Sequence, residues 1–189
     1  MADTKISALT AYTTPLTADE IAIVDKANGL TKRITWGDLN KPPMGEISYF
    51  SLTGTAVTIA SQSDGSTNMV VVPVVTALSS SFEFDNGGSN NGRLRYTGTD
   101  TKMFHIACSI SFSGGPTDTF VIGIARSGTV VSACKALRKM GAGGDVGSTA
   151  IHCMVTLATN QYLELYVGNT SATNNPTFHT LNLFAMGMY

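Results

Sequence analysis

Charge is scarce in this chain. Charged residues make up 13% of its 189 residues, against roughly a quarter in an ordinary soluble domain. Serine, threonine, asparagine and glycine fill the gap, which predicts a polar but weakly charged surface. Twelve basic and thirteen acidic residues leave a formal charge of −1, which excludes the electrostatic footprint of a nucleic-acid or anionic-membrane binder. Lys135, Arg138 and Lys139 are the one basic cluster; it reads as a solvated strand or loop, with an anion or glycan site as the alternative. No apolar run reaches the roughly 18 residues a membrane span needs. The start, MADTKISALT, lacks the basic-then-apolar order of a secretory signal, so synthesis in a cytoplasm without membrane insertion is expected.

Cysteine is also sparse. Cys108, Cys134 and Cys153 are odd in number and form no CxxC pair. Cys108 and Cys153 fall where small apolar residues belong, so buried free thiols and a reducing compartment of synthesis are expected. Catalytic patterns are missing too. The carboxylates of the second module (Glu46, Asp64, Glu83, Asp85, Asp100, Asp118, Asp145 and Glu164) form no recognisable pair. His105, His152 and His179 show no metal-binding spacing and read as facing neighbouring strands or subunits, with ligation open only through the fold or a subunit axis. The glycine-rich run 141–147 lacks the Lys-Ser/Thr of a phosphate loop. No catalytic residue, metal or cofactor is assigned, and the chain is not expected to be an enzyme.

What is present is β-strand grammar, with no convincing long helix. In the stretch 92–112, Phe104, Ile106, Cys108, Ile110 and Phe112 alternate with His105, Ala107, Ser109 and Ser111, a period of two that places one set on a core face. Arg93 to Tyr96 alternates before it, across the turn Thr97-Gly98-Thr99-Asp100. Strands are also expected over 49–52, 56–60, 69–78 (interrupted by Pro73), 119–126, 130–137, 151–157, 162–167 and 178–189. Phe120, Ile122 and Ile124 share one face of theirs, opposite a small, smooth face of Val121, Gly123 and Ala125. The last strand is apolar or small on both parities, Leu181, Leu183, Ala185 and Gly187 against Phe184, Met186 and Met188; it should be buried on both faces. Eight to ten short strands make an all-β sandwich, most simply a jelly roll. In a monomer the second face of the last strand would be exposed, whereas a threefold assembly would bury it. Leu183, Phe184, Met186, Met188 and Tyr189 are the axis candidates.

The first 41 residues read as a separate module. Two strands flank Lys26-Ala27-Asn28-Gly29, and Asn-Gly is a strong hairpin signal; Thr35 to Leu39 reads as a short helical turn, stopped by Lys41-Pro42-Pro43. So small a hairpin and helix module needs a partner surface or other copies of itself, and Ile21, Ile23, Ile34, Trp36 and Leu39 are the docking candidates. The boundary at Pro42-Pro43 gives domains 1–41 and 42–189, with 44–85 as opening strands of the second.

The segment Lys5-Ile6-Ser7-Ala8-Leu9, followed by Thr14-Pro15-Leu16, an acidic pair and the two strands, resembles the N-terminal segments of bacteriophage tail and fibre proteins. The second module resembles the C1q and tumour-necrosis-factor (TNF)-like jelly rolls as they occur in phage virion proteins. The resemblance rests on Leu94-Arg95-Tyr96-Thr97-Gly98, Ile110-Ser111-Phe112, the run from Ile124 to Val130, Arg138-Lys139-Met140-Gly141 with Gly144-Asp145-Val146-Gly147, the run from Leu157 to Leu165 with Asn169-Thr170-Ser171, and the run from Leu181 to Met188. It implies a homotrimer whose last strand lies near the threefold axis. No collagen-like stalk is present, which disfavours a complement or cytokine role. The expectation is a virion fibre or spike whose distal knob attaches to a host surface glycan or protein and whose first module docks to other virion proteins. The alternative is a capsid head-decoration or cement trimer without receptor binding. Tyr162, Glu164 and Tyr166 share a strand face suited to stacking on a sugar, with subunit packing as the plainer alternative. With Asp145 and Asn169 they are the ligand-contact candidates.

Overall fold

The computed structural model describes residues 16, 18–25, 29–35, 41–88, 92–143 and 145–188, with the side chains of 23–25, 30, 32 and 80 left aside. It divides into two units, Met1–Lys41 and Pro42–Tyr189. In the first, β1 (Glu20–Asp25) pairs antiparallel with β2 (Leu30–Thr35), Ile21 opposite Ile34. Gly29 turns the chain at φ +65°, a conformation glycine reaches without the Cβ penalty. Arg33 and Glu20 meet at 2.9 Å on the exposed face, a pair worth little in water. Trp36, Leu39 and Tyr189 lie outside the described residues, as do 36–39 of the helical turn expected at 35–39 and the side chain of Ile23; Thr35, where that turn was to begin, ends β2 instead.

The second unit is a two-layer sandwich. One sheet runs β10 (Thr129–Lys139), β9 (Thr119–Arg126), β12 (Tyr162–Asn169), β7 (Arg93–Tyr96) and β6 (Phe84–Asp85), with β4 (Val70–Val71) also on β12. The other runs β11 (Gly147–Leu157), β8 (Lys102–Ser113), β13 (Thr177–Gly187), β3 (Met44–Ala56) and β5 (Ala77–Phe82). From β7 onward the chain crosses between sheets at β7–β8, β8–β9, β10–β11, β11–β12 and β12–β13. These are the long connections of a jelly roll.

The alternation that defines β8 sets the core. Phe104, Ile106, Cys108, Ile110 and Phe112 all point inward, opposite Phe120, Ile122 and Ile124 of β9 and Leu163, Leu165 and Val167 of β12. Aromatic rings close both ends of the layer. Phe84, Tyr96 and Phe104 meet at 4.9–5.4 Å, and Phe112 lies 5.5 Å from Phe120 and 5.1 Å from Phe178. Each fully buried phenylalanine contributes roughly 1.5–3 kcal/mol.

Three expectations are corrected. Strand β3 is one element of thirteen residues, where a break was expected at Thr53-Gly54. Gly54 carries it through at φ +74°, beside the register shift between Phe178 and Thr180 of β13. Segments 56–60 and 69–78 keep alternating burial but form little strand. Their amides find the Pro176 carbonyl, the Asn175 side chain and the Leu165 carbonyl at 2.8–2.9 Å, partners on the β12–β13 loop and on β12 itself that no sequence period reveals.

The third concerns cysteine. Cys134 and Cys153 are joined in a disulfide, Cα atoms 5.4 Å apart, and only Cys108 is free. Strands β10 and β11 are the edges of the two sheets on the same side of the sandwich. The bulge between Val130 and Lys135 leaves Cys134 the one fully buried residue of β10, facing the other edge. Register and bulge are tertiary facts, so the pairing was invisible to spacing.

Candidate functional site

The outer face of the five-stranded sheet is the first candidate surface. On β13, Phe184 lies between Ala107 and Glu46, and Met186 between His105 and Met44. Asn182 lies between Ser109 and Ser48, and its amide donates to the Glu46 carboxylate. His152 and Met154 of β11 extend the face, with the rings of His152 and His105 stacked at 5.5 Å and their nearest nitrogens 3.4 Å apart. Among the described residues β11, β8, β13 and β3 present one carboxylate and no lysine or arginine on this face. A sheet face turned permanently to water ordinarily carries more charge than that. Phe184 and Met186 are half-buried and Met188 is exposed at 37%. Leu183 is turned the other way and fully buried in the sandwich, so its expected place at a subunit axis is corrected: the period-2 parity puts it with Leu181 and Ala185.

The outer face of the six-stranded sheet is the second. Tyr162, Glu164 and Tyr166 do share it, because they alternate with Leu163, Leu165 and Val167 in the core. Arg93, opposite Glu164 on β7, grips that carboxylate through Nε at 3.2 Å and Nη2 at 2.9 Å, and its guanidinium sits 3.8 Å above the Tyr162 ring. Glu164 is 5% exposed. Buried and already paired, it is a strut between strands and is removed from the ligand-contact set. Tyr166 stands at the edge of this cluster; burial, then the neighbouring Glu164 charge, raises its phenol above the ordinary range, so it stays a neutral donor.

Asn169 is also corrected. It is completely buried; its amide donates to Asp118 Oδ2 at 2.9 Å and the Asn174 carbonyl at 3.3 Å, while its oxygen accepts from Ser171 and Ala172 amides. It locks the 169–174 loop, leaving no atom for a ligand. Asp145 is exposed and accepts the Gly141 amide at 2.9 Å, closing its own loop. His179 touches Ser113 and the Ser51 carbonyl at 3.4 and 3.3 Å, apart from the other two histidines. Among the described residues no three His, Cys, Asp or Glu side chains gather to hold a metal ion. The sequence reading missed Arg93 and Lys135 as members of this face. Strand alternation alone would have placed Arg93 beside β12, had the β7–β12 pairing been known.

This two-sheet arrangement defines the class: the chain has a TNF-like jelly-roll fold. No family model matches it, and no curated protein matches its sequence. Among solved structures it is similar to murine APRIL, with 11% identity, a TM-score of 0.51, and 77% of this chain covering 99% of that one. It is similar to Eiger TNF from S. frugiperda, at 9% identity and a TM-score of 0.50, covering 77% and 93%. A third, the PRD1 vertex protein, has 9% identity, a TM-score of 0.48 and coverage of 78% and 97%. At such identities the first two likenesses speak for the fold alone.

Proposed function

We propose that this chain is a bacteriophage virion protein, a homotrimer whose jelly roll forms a knob for attachment to the host surface and whose first 41 residues dock it to the particle. The observation that carries the oligomer is the almost uncharged outer face of the five-stranded sheet, with Phe184 and Met186 at its centre. Burying that face in a closed ring of identical copies removes it from water. The virion assignment rests on the resemblance of the N-terminal segment to phage fibre proteins. Three identical sites held together then raise avidity without a new contact. A cement trimer that stabilises the shell is the second reading. It is favoured by one feature: the second unit follows the first directly at Pro42 and its first strand, β3, begins at Met44, which leaves no length of chain for a shaft.

Light scattering on the full chain is expected to give three times the mass of one chain, and Phe184→Asp, which places a charge at the centre of the buried face, to give a folded monomer. A wild-type monomer, or a trimeric Phe184→Asp, overturns the assembly. Particles lacking the protein are expected to lose adsorption. Normal adsorption with breakage under osmotic shock replaces the attachment role with the cement role.

A further inference from the structure

A hollow of about 300 Å³ opens on the outer face of the six-stranded sheet, away from the proposed oligomer face. Strand register explains it. Tyr166, Gly123 and Lys135 form one row across β12, β9 and β10, so a ring and an ammonium flank a residue with no side chain. A Cβ on Gly123 would lie 2.8 Å from Val130 and 3.3 Å from Met69. The row therefore cannot be filled from its centre. The loop at 62–69 supplies the far wall with Ser66, Asn68 and Met69, and Ser132 stands at the mouth.

The chemistry of the lining is selective. Lys135 Nζ donates to the Gly65 carbonyl at 2.7 Å and Ser66 Oγ at 3.3 Å; an ammonium has three donors, so one remains for a ligand. No Asp or Glu lines the hollow. The nearby Asp64 carboxylate is turned to its own loop, accepting the Ser66 and Thr67 amides at 2.7 and 2.6 Å. Tyr166 and Met69 offer an apolar surface, and Ser66, Ser132, Thr129 and Asn68 offer hydroxyl and amide partners. An apolar ring face, several neutral polar groups and one cation match a pyranose bearing one carboxylate. A phosphate group would ask for more cations or a helix terminus than the single ammonium here.

We propose that this hollow binds a carboxylated sugar unit, its carboxylate on Lys135 and the C–H face of its ring on Tyr166. As a receptor site it rests on the attachment reading; the binding chemistry itself does not. The test is ligand-observed saturation-transfer NMR on the full chain, using the methyl glycosides of glucuronic acid and N-acetylneuraminic acid, which separate the two sources of such a carboxylate, with methyl glucoside as the neutral probe. At least one acidic glycoside is expected to bind saturably, and about tenfold more tightly than the neutral one, a difference of about 1.4 kcal/mol. Lys135→Met is expected to abolish that preference, while Lys139→Met, exposed on the same strand and outside the hollow, leaves it intact. Because the Lys135 stem packs over Gly123, Ser132→Trp serves as a second variant that blocks the mouth from an exposed position, and it is expected to abolish binding. Absence of binding by both acidic glycosides, equal binding of the neutral one, or full binding by both Lys135→Met and Ser132→Trp overturns the proposal. No sugar binding in a protein whose loss abolishes adsorption sinks the hollow and spares attachment. Sugar binding in a protein whose loss leaves adsorption normal does the reverse.

Discussion

Removing the disulfide between Cys134 and Cys153 tests the fold most directly. The two cysteines are 19 residues apart, and a cross-link closing a loop of that length restricts the unfolded chain by about 3 kcal/mol at 25 °C in the chain-entropy account. The bond also joins the free edges of the two sheets, β10 and β11, where no backbone ladder connects the layers. For a unit of this size 1 kcal/mol moves the melting temperature by roughly 2–4 °C, so the Cys134→Ser/Cys153→Ser double variant is expected to melt roughly 6–12 °C below the oxidised protein. The assay is thermal unfolding followed by circular dichroism, at one protein concentration because an oligomer's midpoint depends on it. Thiol counting in denaturant without reductant must give one thiol per chain for the oxidised protein. Three thiols, or identical melting of oxidised and double-variant protein, would refute the reasoning.

Burial pushes the Cys108 thiol up to about 12, so it is expected to resist thiol reagents at mildly alkaline pH until the protein unfolds; rapid labelling of native protein would contradict its placement in the core. Arg93→Met leaves Glu164 buried without its partner and is expected to cost about 1–3 kcal/mol, less than a fully buried pair because Arg93 is a third exposed. Adding Glu164→Gln should restore part of that loss, and additive effects in a denaturant double-mutant cycle would argue against the coupling. The Arg95 hydrogen bonds to Asp85 hold that carboxyl below its ordinary value. A depressed folded value stabilises above the unfolded value near about 4 and is lost as pH falls through the folded one, so Asp85→Asn should weaken the fall in stability on the acid side, as read from midpoints in denaturant at successive pH values.

Period-2 alternation in 104–112, 119–126 and 162–167 was enough to assign core faces, because a strand has only two faces and burial must choose between them. Leu183 was set at the axis against that rule: alternation groups it with Leu181 and Ala185, which the structure buries, and because both parities of β13 are apolar the axis set drew on both. Glu164 looked like an exposed ligand residue for as long as its neighbour across the sheet was unknown. Asn169 looked like a loop polar group, but the fold buries it completely against Asp118 and the Asn174 carbonyl. The run Phe82 to Asp85 is divided by Glu83 at φ +57°, where the chain leaves the β5 sheet for the β6 sheet, a change of layer with no periodic signature.

By itself the sequence determined the all-β class, the inward faces of the long central strands, the hairpin around Gly29 and the weak charge of the surface, because each follows from local alternation, turn chemistry or composition. Tertiary structure alone decided which cysteines meet, which cation faces which carboxylate, and that Tyr166, Gly123 and Lys135 stand in one row. Those are properties of register between strands far apart in the chain, and a shift of one residue in that register would turn every one of those side chains to the other face.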